Sequence, residues 1–307
     1  MRLTTFRTGT GQPRVGLALA DGAMLDLHYL AARDPAADKL WATDMVELIA
    51  GGETALAWLK AQAAATPAPG AVVAAGAYEL LAPIPRPRKN IFCVGLNYRD
   101  HVAEHDNKRK EPRALPTIPV FFSKPPTCVI GEGADIPWHP VTDKLDYEIE
   151  LALVIGPGGK DIPAAEAWQH VWGLTILNDV SARDLQAAHG GQWFKGKGLD
   201  GACPLGPWIV HCSAITDPAN LDFVSKVNGQ VRQKSNTSMM IFDVPTIIES
   251  LSAGLTLEAG DIVAMGTCSG VGAGFEPPRF LADGDLVEMT IEQIGTLTNR
   301  VRRVARG

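Results

Sequence analysis

The segment 145–156 places two acidic side chains beside an apolar strand. Its apolar residues alternate along one face, which is typical of a buried β-strand, and they are Ile149, Leu151, Leu153 and Ile155. Because side chains two residues apart share a face of a strand, Glu148 and Glu150 point the same way, with Cα atoms roughly 6.6 Å apart. Two carboxylates at that spacing repel by about 2–3 kcal/mol at an effective dielectric of about 20. A bound cation, arginine partners or a solvent-facing orientation would compensate.

A second apolar strand is predicted over 171–180, and it ends in an acid, Asp179, at the point where an open site would lie. Three carboxylates without a paired cysteine or histidine suit a hard cation, so Mg²⁺, Mn²⁺ or Ca²⁺ fits better than zinc. The competing interpretation of the Glu148–Glu150 pair is a half-exposed strand with one solvated face.

A short helix is predicted after Asn97, which is placed to cap it. On that helix His101 and Glu104 are three residues apart and face the same side. A carboxylate beside an imidazole orients the ring and raises its basicity, which favours a general base. The alternative is a surface ion pair.

Three later segments carry polar groups that a ligand could use. Arg183 and Gln186 follow Asp179 and are placed to reach a substrate carboxylate, since arginine offers a forked pair of donors; alternatively, Arg183 is the counter-ion of the glutamate cluster. The segment 192–197 places lysines among aromatic residues and glycines. One of these lysines is predicted to act as an electrostatic catalyst; the alternative is that the segment is a solvated loop. The glycine-rich segment 266–272 allows close backbone approach to a ligand and lacks the Gly-x-Ser-x-Gly pattern of serine hydrolases.

Length and composition limit the remaining possibilities. A chain of 307 residues can form one large domain with a smaller appendage, and the Pro-rich segment 83–88 suggests domains over 1–80 and 81–307. The net charge of -6 argues against broad attraction to nucleic acid or to an anionic membrane. Five cysteines with no Cys-x-x-Cys pair predict free thiols in a reducing cytoplasm. No apolar run reaches the roughly 18 residues of a membrane span.

The polar segment Asp106–Pro119 is predicted to be a mobile loop that could act as a lid.

Several motifs occur together in a fixed order along the chain. They are Val94-Gly95-Leu96-Asn97-Tyr98-Arg99-Asp100-His101, Lys124-Pro125-Pro126, Asp146-Tyr147-Glu148-Ile149-Glu150-Leu151, Asn178-Asp179-Val180-Ser181-Ala182-Arg183-Asp184, Lys197, Cys203-Pro204-Leu205-Gly206-Pro207 and Gly266-Thr267. This set resembles the fumarylacetoacetate hydrolase family, in particular its smaller branch of acylpyruvate hydrolase-like and oxaloacetate decarboxylase-like proteins. The resemblance covers about Pro85 to Val304, and the length and order of the motifs argue against chance.

The resemblance implies a strand-rich mixed α/β fold, with a rolled β-sandwich catalytic domain and a small N-terminal α+β domain, usually in a homodimer. It implies one Mg²⁺ or Mn²⁺, with Ca²⁺ as a substitute, on carboxylates that correspond to Glu148, Glu150 and Asp179. It also implies roles for six further residues: a His–Glu pair on a closing segment, a lysine beside the metal, and positions near the substrate or its water. These are His101 with Glu104, Lys197, and Arg183, Gln186 and Thr267, and Lys124 joins the substrate-binding set through its own motif.

The sequence departs from the family pattern at two positions. Cys268 stands where a proline commonly follows the threonine of the glycine-rich loop, and Gly198-Leu199 replaces a Ser-Phe pair after the lysine. Both changes spare the predicted metal ligands. The two changes affect which substrate shape the site accepts. We expect the loop Asp106–Pro119 and the surroundings of Cys268 to select the tail of the substrate.

The leading hypothesis is metal-dependent hydrolysis of a C–C bond in a 2,4-dioxo acid such as an acylpyruvate or fumarylpyruvate. His101, assisted by Glu104, would deprotonate a water that attacks the distal carbonyl, while the cation and Lys197 stabilise the pyruvate enolate. A second hypothesis keeps the site and changes the reaction to oxaloacetate decarboxylation, tautomerisation, or dehydration or isomerisation of a sugar-derived acid. A third, from another class, is a non-catalytic protein with a structural Ca²⁺ site.

Overall fold

The computed structural model describes residues 1–106 and 115–305. Most of the predicted loop Asp106–Pro119 therefore lies outside the described residues. Within the described part, no helix is long and apolar enough to cross a membrane, and the five cysteines form no disulfide. Seven α-helices are present there, and they are α1 (Leu27–Ala31), α2 (Met45–Ala50), α3 (Gly52–Ala64), α4 (Arg99–Asp106), α5 (Arg183–Ala188), α6 (Phe194–Lys197) and α7 (Val244–Ser252).

Strands outnumber helices in the described residues, which confirms the predicted strand-rich mixed α/β fold. They are β1 (Arg2–Arg7), β2 (Arg14–Ala18), β3 (Met24–Asp26), β4 (Val72–Val73), β5 (Glu79–Leu80), β6 (Ile91–Gly95), β7 (Val120–Lys124), β8 (Val129–Ile130), β9 (Asp135–Trp138), β10 (Leu145–Asp146), β11 (Ile149–Ile155), β12 (Val171–Asn178), β13 (Ser181–Ala182), β14 (Cys203–His211), β15 (Asp222–Val227), β16 (Gln230–Asn236), β17 (Ile262–Ala264), β18 (Leu286–Ile291) and β19 (Gly295–Arg303).

The largest sheet has the order β4-β3-β2-β1-β14-β12-β11-β17-β6-β7, with β5 on β1 and β8 on β14. Strands β11 and β12 lie near its middle and pair in antiparallel register, with Ile149 opposite Asn178. Every residue of both strands is buried. Their near-continuous apolar sequences fit this position, because a strand covered on both faces needs apolar side chains on both.

A second sheet, in the order β16-β15-β18-β19-β9, packs beside the first. An Asn228-Gly229 turn links β15 to β16. Both turn residues have positive φ, of 52° and 75°. Asparagine and glycine tolerate that left-handed conformation better than other residues, which explains why this dipeptide marks the hairpin in the sequence.

The N-terminal strands extend the large sheet. Strands β2 and β3 pair as a hairpin around Asp21-Gly22, and Asp44 caps α2 by accepting hydrogen bonds from the backbone of Val46 and Glu47. Strand β1 pairs with β14, so this region is joined by backbone hydrogen bonds to the sheet that contains β11 and β12. The division of the chain near residue 81 stays a prediction.

Candidate active site

Three carboxylates meet where β11 begins and β12 ends. Glu148 immediately precedes β11, Glu150 lies on it, and Asp179 follows β12. The backbone N–H of Asp179 donates to the carbonyl of Glu148 over 2.9 Å, which holds the two strand ends together. One oxygen of each carboxylate lies within 4.8 Å of the others. The three residues, here called the acidic triad, are at most 3% exposed, which excludes the half-exposed strand for Glu148 and Glu150.

Cations surround the acidic triad. The Lys197 ammonium donates to Oε2 of Glu148 and to Oδ2 of Asp179, both over 2.6 Å. The Arg183 guanidinium donates from Nη2 to Oε1 of Glu148 over 2.5 Å and from Nε to Oδ2 of Asp146 over 2.8 Å. Arg183 is therefore a counter-ion of the glutamate cluster, as one of the two alternatives predicted. The role of Arg183 in binding a substrate carboxylate stays a prediction.

Lys124 lies behind the acidic triad and outside the lining of the cavity described below. Its side chain is fully buried, and its ammonium donates to Oδ1 of Asp179 over 2.7 Å and to the carbonyls of Val180 and Lys197. All three of its protons therefore have protein acceptors. This geometry orients Asp179, whereas the substrate contact predicted for Lys124 would require those bonds to rearrange.

The neighbouring cations affect the pKa values of Glu148 and Glu150 differently. Burial alone would raise the pKa of Glu148, but Lys197 and Arg183 outweigh it and hold that pKa well below its usual range. Burial and the charges of Asp179 and Glu148 raise the pKa of Glu150 well above its ordinary value. A cage of three carboxylates, built only from oxygen donors, fits a hard divalent cation such as Mg²⁺, Mn²⁺ or Ca²⁺.

This electrostatic imbalance predicts a pH-dependent stability in chelated protein. Because Glu150 binds its proton more tightly when folded, its contribution to stability is present below the ordinary carboxyl pKa of 4.5 and is lost as the pH rises through the raised value. Glu148 has the opposite sign, but its contribution is complete above pH 4.5. Wild type should therefore lose thermal stability relative to Glu150→Gln as the pH rises above 4.5.

The measurement is thermal unfolding of both proteins across this pH range, with chelator and with saturating Mn²⁺. Burial raises the pKa of Glu132 to about 7, but that group titrates in both proteins and cancels in the comparison. Saturating Mn²⁺ should remove the pH-dependent loss from wild type, since the ion replaces the proton. A pH-independent difference between the two chelated proteins would contradict this explanation.

His101 and Glu104 lie on α4 beside the acidic triad. Nδ1 of His101 is 3.4 Å from Oε2 of Glu104, and the imidazole is buried. Glu104 also accepts a hydrogen bond from the backbone N–H of Gly270 over 2.8 Å. A Cβ at Gly274 would lie 2.1 Å from Glu104 Oε1, so a side chain there would displace the carboxylate.

The predicted cap on α4 was wrong. Nδ2 of Asn97 donates to the carbonyls of Phe242 and Met265, and its Oδ1 accepts from the backbone N–H of Phe242. Asn97 therefore ties the start of α4 to the segment before α7 and to the strand end that leads into the glycine-rich loop. These partners lie far away in the sequence, whereas the local pattern suggested only a helix cap.

The glycine-rich loop contributes Thr267 to the site. Its hydroxyl donates to the carbonyl of Ile149 over 2.8 Å, and Nε2 of Gln233 donates to the same hydroxyl oxygen over 2.8 Å. Cys268, next along the loop, is buried and does not line the cavity, although its surroundings were expected to select the substrate tail. Gln186 lines the cavity and accepts a hydrogen bond from Nη1 of Arg183 over 3.1 Å.

These groups surround a single cavity of about 410 Å³. Its polar lining consists of His101, Glu148, Glu150, Arg183, Gln186, Lys197 and Thr267. Its apolar lining consists of Val94, Gly95, Leu96, Phe122, Ala187 and Trp193. A concave site with a few convergent polar groups on one side and apolar walls on the other is typical of small-molecule binding.

Sequence reasoning missed three residues of this site. Asp146 accepts hydrogen bonds from Arg183 and from the backbone of Gly272 and Ala273, so it joins the acidic strand to the glycine-rich loop. Phe122 and Trp193 form the aromatic part of the apolar lining. Trp193 precedes Lys197 by four residues, and that helical spacing was a usable signal that both face the cavity.

Known proteins resemble this chain over most of its length. The model of the fumarylacetoacetate (FAA) hydrolase C-terminal family matches residues 90–302. Oxaloacetate tautomerase YisK of Bacillus subtilis is 44% identical over 309 residues, which cover 96% of this chain and 99% of that protein.

Two solved structures extend the comparison over nearly the whole chain. A fumarylacetoacetate hydrolase from the psychrophile Exiguobacterium antarcticum is 38% identical with a TM-score of 0.81, over 99% of this chain and 100% of that one. A maleylpyruvate hydrolase from a Sphingobium species, solved in complex with manganese(II) ion and pyruvate, is 30% identical with a TM-score of 0.76, over 99% and 100% of the two chains. The motifs, the fold and these matches together show that this chain belongs to the fumarylacetoacetate hydrolase family.

Proposed function

We propose that this protein is a divalent-metal-dependent tautomerase that interconverts the enol and keto forms of oxaloacetate. One observation carries the proposal: two glutamates of a buried carboxylate cage, a buried lysine and the histidine of a His–Glu pair line one cavity. Enol–keto interconversion needs a group that moves a proton at C3 and a positive environment for the oxygen at C2. The similarity over almost the full length to a protein named oxaloacetate tautomerase supports this choice over the C–C hydrolysis that the sequence first suggested.

The acidic triad supplies the cage for the cation, with one oxygen from each of Glu148, Glu150 and Asp179. Bound there, a divalent cation would act as a Lewis acid and template for the carboxylate and C2 oxygen of a 2-oxo acid. Lys124 and Arg183 hold Asp179 and Glu148 in place through their buried hydrogen bonds.

His101 is the proposed proton carrier. In the ketonising direction it delivers a proton to C3 while the enol hydroxyl at C2 gives one up, so the overall reaction is an isomerisation with no atoms gained or lost. Glu104, 3.4 Å from Nδ1, orients the imidazole and stabilises its cationic form. The Lys197 ammonium stabilises negative charge on the C2 oxygen as it develops.

Hydrolysis of acylpyruvates is the second candidate, and the apolar half of the cavity favours it because an acyl tail would be buried there. In that reaction His101 takes a proton from water, the water oxygen adds to the C4 carbonyl, and the C3–C4 bond breaks. Its electron pair goes to the pyruvate enolate, which is then protonated at C3, and the carboxylic acid leaves. A structural Ca²⁺ site would need neither His101 nor Lys197 beside it.

The test is the ultraviolet decay of the enol band of oxaloacetate, added as the enol, with Mg²⁺ or Mn²⁺ and again with excess chelator. We expect metal-dependent acceleration with keto-oxaloacetate as the product and no carbon dioxide. A parallel assay follows acetylpyruvate, where pyruvate and acetate would identify the hydrolase. Enol decay at the uncatalysed rate in metal-loaded protein would overturn the tautomerase proposal.

We also propose, from the family resemblance, that the protein forms a homodimer. Sedimentation of the purified chain tests this directly.

A further inference from the structure

The apolar end of the cavity is built around one aromatic side chain, Trp193. Trp193 stands immediately before α6, and the backbone N–H of Lys197 donates to its carbonyl over 3.0 Å. Residues four apart on a helical turn face the same side, so both side chains point into the cavity. The next residue, Phe194, points away and is 48% exposed.

Trp193 is braced by two residues. A Cβ built on Gly95 would lie 2.2 Å from Cζ3 and 2.7 Å from Cη2 of the indole, so the ring rests directly on the glycine backbone. Phe122 also meets the indole edge-to-face, with ring centroids 5.3 Å apart and an interplanar angle of 76°. Close-packed aromatic contacts of this kind resist displacement, so the ring forms a fixed wall.

Helix α6, which follows Trp193, packs closely against α5. A Cβ at Gly196 would lie 2.5 Å from Cγ of Gln186 and 2.9 Å from the carbonyl of Ala182. Only glycine at this position lets α6 approach α5 so closely. The positions of Lys197 and Trp193 are therefore set together.

Distances along the cavity determine what meets this wall. Lys197 Nζ, which bonds two members of the acidic triad, lies 5.2 Å from the centroid of the Phe122 ring. The Trp193 ring lies 5.3 Å from the same Phe122 ring, so Phe122 neighbours both Lys197 and Trp193. A 2-oxo acid held by its C1 and C2 oxygens at the acidic triad extends about 1.5 Å per bond. A tail that continues from C4 past Phe122 would meet the indole, because the two rings are in edge-to-face contact.

We propose that Trp193, braced by Gly95 and Phe122, is the residue that limits the length of the substituent at C4 of the substrate. Short substituents, such as the carboxylate of oxaloacetate or the methyl of acetylpyruvate, fit in front of the indole. Longer acyl chains collide with it. This inference rests on the proposed function for the orientation of the substrate and adds the class of tail that the site accepts.

The test compares kcat/KM for oxaloacetate, acetylpyruvate and hexanoylpyruvate in Mn²⁺-loaded wild type and Trp193→Ala. Because one or two extra methylenes against a fixed wall change discrimination by roughly 10-fold or more, Trp193→Ala should raise the hexanoylpyruvate-to-acetylpyruvate ratio at least about 10-fold. The ratio is the readout because a loss common to all three acids, such as one caused by a shift of Lys197, cancels in it.

Two further variants separate this role from a structural one. Phe194→Ala removes the neighbouring exposed ring and should leave the ratio unchanged. Gly95→Ala places a methyl group against the indole, which must move into the cavity, so it should lower the ratio. An unchanged ratio in folded, metal-bound Trp193→Ala, or a parallel loss of activity on all three acids, would overturn the proposal.

The same assays distinguish an error in the proposed reaction from an error in the role of Trp193. If wild type acts on acylpyruvates and not on oxaloacetate, the reaction assignment fails while the tail-length ratio still tests Trp193. If none of the acids turns over, calorimetric dissociation constants of acetylpyruvate and hexanoylpyruvate on Mn²⁺-loaded protein give the same ratio without catalysis. Wild type and Trp193→Ala with the same dissociation-constant ratio would overturn the inference.

Discussion

Replacing Glu150 with glutamine is expected to abolish divalent-metal binding and activity while leaving the chelated protein at least as stable as wild type near neutral pH. Burial and the charges of Asp179 and Glu148 raise the pKa of Glu150, so its neutral form is favoured when no cation is bound. Glutamine resembles that neutral form in shape, and its carbonyl can still accept the hydrogen bond from Gly266. A neutral amide is a much weaker ligand for a hard cation than a carboxylate.

The expected loss of metal affinity and activity in Glu150→Gln can be estimated from substitutions near other metal sites. Changes to outer partners of metal ligands already cost about 10–100-fold in affinity or activity, so loss of a ligand should cost at least about 100-fold in both. Calorimetric titration with Mn²⁺ and thermal unfolding in chelator measure the two quantities. Glu132→Gln is the matched control, because that half-buried carboxylate lies outside the cavity and accepts from Thr298. Wild-type Mn²⁺ affinity or turnover in Glu150→Gln would contradict the assignment.

Glu148→Gln gives a useful contrast. It should also lose metal and activity together, but it removes the anion that Lys197 and Arg183 share. Breaking a buried ion pair by removing one partner costs about 3–5 kcal/mol, because the remaining charge stays buried. Stability therefore separates the two glutamates: Glu148→Gln should be destabilised in chelator, and Glu150→Gln should not.

The second large effect is expected for Lys197→Met, which should lose about 10²–10³-fold in kcat while binding Mn²⁺ at least as tightly as wild type. The ammonium of Lys197 donates to oxygens of Glu148 and Asp179, two members of the cage that would hold the cation. Two cations near the same carboxylates repel each other, so removal of the lysine favours the metal. Catalysis falls because the charge that develops on the substrate oxygen loses its partner.

Lys195→Met is the control for this prediction. Lys195 lies on the same short helix α6 but is exposed, and it does not line the cavity. Stopped-flow decay of enol-oxaloacetate and calorimetry with Mn²⁺ measure the two effects. Weaker Mn²⁺ binding in Lys197→Met would mean that the lysine builds the cage, and unchanged kcat would mean that it takes no part in catalysis.

The acidic triad was predictable because each part of it lies in a local pattern. The alternation of apolar residues through β11 determined the directions of Glu148 and Glu150, and the apolar run of β12 ended at Asp179. Their proximity depends on the pairing of β11 with β12, which two consecutive strands commonly adopt. The buried environment of both strands also followed from their composition.

The parts that could not be predicted depend on contacts between distant segments. Lys124 lies in a motif with other site residues, yet the pairing of β7 with β6 directs it behind Asp179 and not into the cavity. Cys268 neighbours Thr267, but its side chain is directed into the interior. The orientation of Trp193 required the close approach of Gly95, which no local periodicity reveals.

Anomalous diffraction at the manganese edge, from crystals grown with Mn²⁺ and oxalate, tests most directly whether the acidic triad holds the metal, because oxalate mimics the two oxygens of a 2-oxo acid. This metal assignment predicts one strong peak about 2.0–2.6 Å from an oxygen of each of Glu148, Glu150 and Asp179, with oxalate completing the coordination in the cavity. A fully occupied Mn²⁺ at another place, with the acidic triad bound only to Lys197 and Arg183, would contradict it.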